Sequence, residues 1–195
     1  HWFGDLATCR TQEDMWLNEG WASYSEYIFN EWVYGRLAYD NGIRALQDDA
    51  VHYFHHREGW LTMNNIPFTN TYGDHVYLKG ADVLHTLRGY LGDSLFFIGL
   101  NSFFNTYKFI DVNSYTLRNH LTNATGYNLT DFFNGWVFNS GFPHFSVDSV
   151  NSSFVGPGNY SVAVHFKQKI TGAPAIFTNV PLDISFWDNS WNVYT

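Results

Sequence analysis

The sequence predicts an α+β fold, with helices from about residue 10 to 141 and strands after that. Three observations predict it. Apolar residues recur at helical spacing through the first two-thirds of the chain. Gly35, Gly92 and Gly126 fall where those periods stop, as helix ends require. After Gly141-Phe142-Pro143 the period changes from 3.6 to 2, so that Phe145, Val147 and Ser149 alternate with Ser146 and Asp148.

Taken in order, residues 2 to 9 read as a frayed helix end and a short connection. Thr11 is placed to cap the next helix, with Glu13 and Asp14 in its first turn, where carboxylates suit the dipole. That helix is expected from Gln12 to Tyr34. A third runs from Arg36 to Glu58. Residues 59 to 73 carry Asn, Pro and Gly punctuation and read as a loop. Asp74 to Leu91 is helical again, with Val76, Lys79, Gly80, Val83, Leu84 and Leu87 at helical spacing. Asp93 caps an aromatic helix over Ser94 to Tyr107. Asn113 or Ser114 starts another, ending near Gly126. Leu129 or Thr130 opens a last short one. Tyr160 to Lys169 and Ile176 to Phe186 then alternate as strands, set off by Gly-Pro-Gly and Gly-Ala-Pro turns. About three strands is fewer than a sandwich needs. The expected organisation is therefore 1–141 as helical domain and 142–195 as the start of an incomplete β domain.

The stretch TQEDMWLNEGWASYSE, Thr11 to Glu26, carries the chemistry. Glu19 and Glu26 are seven apart and share a helix face two turns apart. Trp16, Leu17, Gly20, Trp21, Tyr24, Ile28 and Phe29 surround them, and a helix apolar nearly all round is buried. Buried carboxylates need a metal ion, a histidine or an arginine. The alternative is that one glutamate faces water and the other forms an ordinary ion pair. His52 and His56 are four apart on an expected helix, with His55 beside them, and form a second possible metal pair. A solvated histidine face is the commoner outcome for such a pair.

WFGDLAT and WLNEGWASY together resemble the zinc-ligand region of the M1 (gluzincin) aminopeptidases, a thermolysin-like group. DHVYLKGADVL resembles the family's Y-x-K-G-A stretch. GWVFNSGFP resembles its W-x-x-Q-x-G-F/Y-P junction into a β-sandwich, with Asn139 where Gln is common. The resemblance covers roughly residues 1 to 148. It implies the helical C-terminal part of a thermolysin-like catalytic domain, followed by the first strands of a β-sandwich. It implies Zn2+ as cofactor of the parent protein, peptides as substrate, and removal of N-terminal residues by zinc-activated water. Glu19 would be a zinc ligand, Glu26 would orient a ligand histidine, and Tyr77 would be the catalytic tyrosine. Family spacing puts the second histidine of HExxH immediately before His1. Both zinc histidines and the general base are then expected upstream, and this chain alone is expected to be inactive. His1 could itself be the ligand only through a one-residue slip, which turns a helical side chain by ~100°.

Other properties bound the function. With 18 acidic and 10 basic residues the net charge is -8, which argues against nucleic acid or an anionic membrane as main partner. Hydrophobic residues make up 45% of the chain, enough for a core, yet no apolar run approaches a membrane span. Cys9 is the single cysteine, so neither a disulfide framework nor a thiolate zinc site arises within the chain. Few lysines, many Asn, Ser, Thr and Tyr, and the lone Cys lean toward an exported protein: periplasmic, secreted or cell-surface. Exposed apolar surface and an open strand edge would favour self-association. Two other functions compete with the peptidase. One is a noncatalytic M1-like scaffold for protein interaction, which the joint presence of Glu19, Glu26 and Tyr77 disfavours. The other is a binding module centred on the aromatic β tail, which rests on composition alone.

Overall fold

A computed structural model describes residues 2–188 and 190–194. After a kinked wide turn at Trp2–Leu6 come strand β1 (Ala7–Cys9) and helices α1 (Trp16–Tyr34), α2 (Arg36–His52) and α3 (Phe54–Glu58). A wide turn at His75–Lys79 leads into α4 (Gly80–Tyr107). Strand β2 (Ile110–Val112) and helices α5 (Ser114–Thr125) and α6 (Thr130–Trp136) follow. Strands β3 (Phe142–Gly156), β4 (Asn159–Thr171), β5 (Phe186–Trp187) and β6 (Val193–Tyr194) complete the order. The architecture is the expected α+β.

Helix ends follow their glycines. α1 stops at Gly35, whose φ of 88° an L side chain rarely adopts. α4 is really two helices joined at Gly92, where φ is 70° and ψ 160°. Asn113 caps α5, its Oδ1 accepting from Thr116 N at 2.8 Å.

Several expectations are corrected. Thr11 does not cap a helix. Its hydroxyl donates to the Glu13 carboxylate at 2.7 Å, and a short 3-10 turn at Gln12–Asp14 precedes α1. The helix expected from Arg36 to Glu58 breaks at Tyr53 (φ -123°, ψ -52°), so His52 and His56 no longer share one helical face. Asp93 does not cap either, because both its oxygens accept from Arg88, at 2.7 and 2.9 Å. Strands β1 and β2, expected neither as strands nor as partners, pair in parallel with Ala7 opposite Ile110 and Cys9 opposite Val112.

The β region is a long antiparallel hairpin of β3 on β4, with register shifts at Val147/Ser149 and Phe154/Gly156. The strand expected over Ile176 to Phe186 does not form, apart from its last residue in β5. The Gln168 side chain instead accepts from Phe177 N at 2.7 Å and donates to Phe177 O at 2.9 Å. That turns Phe177 onto Trp136 of α6, ring centroids 4.9 Å apart. A strand would have had to give up this anchor.

The core lies between α1, α2, α4, α5 and α6. Trp16, Trp21, Tyr24, Tyr39, Phe96 and Phe133 are its largest enclosed side chains. Arg88 is buried at its edge and joins α1 to the break in α4. It donates to Glu31 at 2.6 Å and to Asp93, with its guanidinium over the rings of Tyr39 and Phe97.

α1 is not buried all round. Trp16, Leu17, Gly20, Trp21 and Tyr24 are enclosed, whereas Ala22, Glu26 and Phe29 are exposed. Phe29 instead borders an open cavity shared with Trp2, Trp32 and Phe97. None of the described helices is long and apolar enough to cross a membrane.

Candidate active site

The site starts from a crossing of two helices. Gly20 of α1 and Gly80 at the start of α4 meet backbone to backbone. A Cβ added at Gly20 would lie 2.9 Å from the Gly80 Cα and from the Val76 carbonyl oxygen. One added at Gly80 would lie 2.8 Å from the Gly20 Cα. Only glycine permits that approach. Glu19 precedes one glycine directly, and Tyr77 precedes the other by about one turn. The crossing therefore brings the two side chains together.

Tyr77 and Glu19 are both half-buried, and the phenol lies within electrostatic reach of the Glu19 carboxylate. Burial first, then the Glu19 charge, pushes the phenol above its ordinary pKa. Tyr77 is thus held in its O–H form, a donor. The turn that carries it, His75–Lys79, is a wide one, a geometry often found at functional sites.

Asn18, beside Glu19, fixes this end of α1 to β1. Its Oδ1 accepts from Cys9 N at 2.9 Å and its Nδ2 donates to the Thr8 hydroxyl at 3.3 Å. Glu26 lies two turns further along, exposed, and its charge helps raise the pKa of Tyr27 after burial has done most. His1, considered as a ligand from the sequence, lies outside the described residues.

A zinc site needs three protein ligands. Among the described residues no group of three or more His, Cys, Asp or Glu side chains is placed to hold a metal. The donor set around Glu19 is therefore incomplete within them. His52, His55 and His56 make no metal site either. His52 Nδ1 turns to Asp48, at 3.1 Å from its carboxylate. His55 stacks on Trp60, ring centroids 4.4 Å apart, with the His56 ring tilted against it at 4.2 Å.

A second carboxylate near Tyr77 escaped the sequence reading. Glu58, the last residue of α3, reaches the start of the Tyr77 turn. Its Oε1 accepts from Asp74 N at 2.9 Å. Its Oε2 accepts from His75 N at 2.8 Å and meets His75 Nδ1 at 2.6 Å. Burial pushes the His75 pKa down, against the pull of Glu58. Those bonds from His75 and Asp74 outweigh burial and hold the Glu58 carboxyl below its usual range. No local pattern marks this contact, since Glu58 and Asp74 stand sixteen positions apart in the sequence.

Behind the same turn, Lys79 and Asp82 border a cavity of about 250 Å³ between α2, α4 and the start of β3. Lys79 is buried and its pKa falls to about 8. Asp82 keeps some exposed surface, but its Oδ1 is enclosed with no hydrogen-bond partner, and burial raises its pKa to about 6. The folded state thus prefers the protonated carboxyl. Below about pH 4 the group is protonated whether folded or not, and carries no penalty. Between about pH 4 and 6 a destabilising contribution grows, and above pH 6 it is complete. Asp82→Asn is accordingly expected to stabilise the protein at pH 7 by on the order of 1–3 kcal/mol. The gain should vanish at pH 4. Urea unfolding at the two pH values checks this, and an equal change at both would remove the carboxyl's charge as its cause.

Comparison with known proteins follows the same residues. The family model described as "Peptidase family M1 domain" matches residues 1–136. A protein of Saccharolobus solfataricus described as "Probable aminopeptidase 1" is 30% identical over 158 residues, covering 78% of this chain and 20% of that protein. The "Alanine/arginine aminopeptidase" of Saccharomyces cerevisiae is 33% identical over 153 residues, 75% of this chain and 18% of the relative. This chain thus spans about a fifth of the length of the curated relatives it matches. The solved M1 zinc metallopeptidase of Deinococcus radiodurans superposes with a TM-score of 0.62 at 24% identity, over 70% of this chain and 30% of that one. That likeness establishes the fold. With the family model spanning both the Glu19 and the Tyr77 stretches, the chain belongs to peptidase family M1.

Proposed function

We propose that this chain carries part of the active site of a zinc-dependent M1 aminopeptidase that removes N-terminal residues from peptides. One observation carries the reading: the Gly20–Gly80 crossing sets a protonated tyrosine against the one carboxylate the family motif marks as a ligand. In this reading Glu19 is one of three zinc ligands in the whole protein, and the metal supplies an activated water and a Lewis acid. Tyr77 donates its O–H to the oxyanion that forms on the peptide carbonyl. The nearby Glu19 charge keeps that O–H protonated until substrate arrives. Glu26, two turns on, orients a ligand histidine through its free N–H. Residues 1–141 would be the helical part of the catalytic domain and 142–195 the opening strands of a β-sandwich. The composition supports an exported protein.

The test is metal content. The whole protein should hold zinc one to one after chelator-free purification, and Glu19→Gln should lose most of it. The 195-residue chain alone should hold little zinc and hydrolyse no aminoacyl anilide. It should also self-associate, since Trp2, Trp32 and both faces of the β3–β4 hairpin are exposed. Unchanged zinc in Glu19→Gln would remove Glu19 from the ligand set. Stoichiometric zinc in the isolated chain would show that the chain completes a site by itself.

A further inference from the structure

The Glu58 carboxylate sits where it can govern the geometry of Tyr77 without touching it. α3 ends at Glu58, and Gly59 (φ 82°) turns the chain away, so the side chain projects back toward residues 73–75. There it accepts from two successive backbone N–H groups, Asp74 and His75, and pairs with the His75 ring. These N–H groups open the helical run and have no partner within it. A carboxylate also suits the positive end of the helix. The arrangement is enclosed: the His75 side chain is 1% exposed and that of Glu58 11%. Phe54 packs on the His75 ring at 4.8 Å, and Arg57 is paired with Asp74.

Gly73 is shaped to admit this carboxylate. A Cβ there would fall 1.8 Å from Glu58 Oε1, although the backbone at Gly73 is not in the left-handed region. The Tyr77 backbone N–H donates in turn to the Gly73 carbonyl, at 3.2 Å. Tyr77 is therefore one hydrogen bond away from a residue whose place depends on Glu58. At the other end of the turn the Gly80–Gly20 contact fixes the helix in depth. With both ends held, one by a carboxylate and one by backbone contact, the backbone that carries Tyr77 is fixed in position.

We infer that Glu58, through its clamp on Asp74 and His75, is a positioning residue for the Tyr77 hydroxyl. This rests on the reading of Tyr77 as oxyanion donor. It adds a residue from outside both family motifs, and it requires Gly73 to stay without a side chain. Small displacements of a donor weigh heavily in catalysis, ~10²-fold for about 1 Å.

The experiment is a double-mutant cycle in the whole protein, reading kcat and KM separately on an aminoacyl anilide. The variants are Glu58→Gln, Tyr77→Phe and the two together. Glu58→Gln should lower kcat ~10- to 100-fold with KM little changed. In the Tyr77→Phe background the same change should have no further effect on kcat, because the group it positions is gone. A merely structural role would lower activity by the same factor in both backgrounds, and that result overturns the inference. So does an unchanged kcat in a folded Glu58→Gln. If Tyr77→Phe is itself fully active, the oxyanion reading fails first and the clamp's catalytic role falls with it. If Tyr77→Phe is impaired but the factors multiply, only the clamp fails. Should Glu58→Gln not fold, Gly73→Ala displaces the same carboxylate by its Cβ alone, and the same cycle against Tyr77→Phe decides.

Discussion

Tyr77→Phe in the whole protein is expected to lower kcat by ~10²–10³, the usual effect of losing one oxyanion donor. The phenol is half-buried and keeps its proton well past neutral pH, because burial and the Glu19 charge both oppose ionisation. As an oxyanion donor, its bond to substrate would strengthen only as the carbonyl oxygen gains charge. KM should therefore change little while kcat and kcat/KM fall together. Phe keeps the ring and its packing, so the melting temperature should stay near wild type. Steady-state kinetics with thermal melts of both proteins check this. Full activity in Tyr77→Phe would remove the residue from the mechanism and reopen the scaffold reading.

The second large effect is expected at the helix crossing. Gly20→Ala introduces a Cβ 2.9 Å from two backbone atoms of the Tyr77 helix, and backbone has no rotamer by which to move aside. Alanine gains about 1 kcal/mol in helix propensity. Overpacking costs about 1–3 kcal/mol, and more where neighbours cannot relax. The clash should win, with net destabilisation of about 1–2 kcal/mol. The functional loss should be larger, because parting the helices also parts Glu19 from Tyr77, and ~1 Å of misplacement costs ~10²-fold. Gly89→Ala is the control. It lies in α4 with no atom within 4 Å of its Cβ position, so propensity alone should stabilise it. Wild-type turnover in a folded Gly20→Ala would show that the close approach is not needed for the site.

Much of this was legible in the sequence, for identifiable reasons. Gly35, Gly92 and Gly126 end helices because their positive φ is a backbone property that glycine reveals directly. The Glu19 and Tyr77 stretches stood out through dense motifs. Their meeting at Gly20–Gly80 did not, since no periodicity says which two small residues will touch. Thr11 and Asp93 are good capping residues that found stronger partners, Glu13 beside the one and the buried Arg88 at the core's edge for the other. The break at Tyr53 has no proline or glycine to announce it. The Ile176–Phe186 alternation was a true period-2 signal, overridden by Phe177 docking on Trp136 and by its two bonds to Gln168. The apolar ring around α1 is not fully buried: Phe29, at 55% exposure, borders an open cavity rather than the core.

The parallel pairing of β1 with β2 joins positions that lie far apart along the chain. Only three residue pairs hold it, helped by Arg10 N donating to the Val112 carbonyl at 2.7 Å and by the exposed Arg10–Asp111 pair. Closing a loop of about 100 residues in a flexible chain costs ~4 kcal/mol in entropy, before any constant term. Each ladder bond returns only ~1 kcal/mol net, and an exposed ion pair returns still less. The strand pair therefore holds because α1, α4 and α5 have already shortened the loop by packing together. β1 is tethered to α1 through Asn18, next to Glu19. Any loosening of the helical array is then felt at the carboxylate as a lengthened tether, even when it begins on the far side of the core.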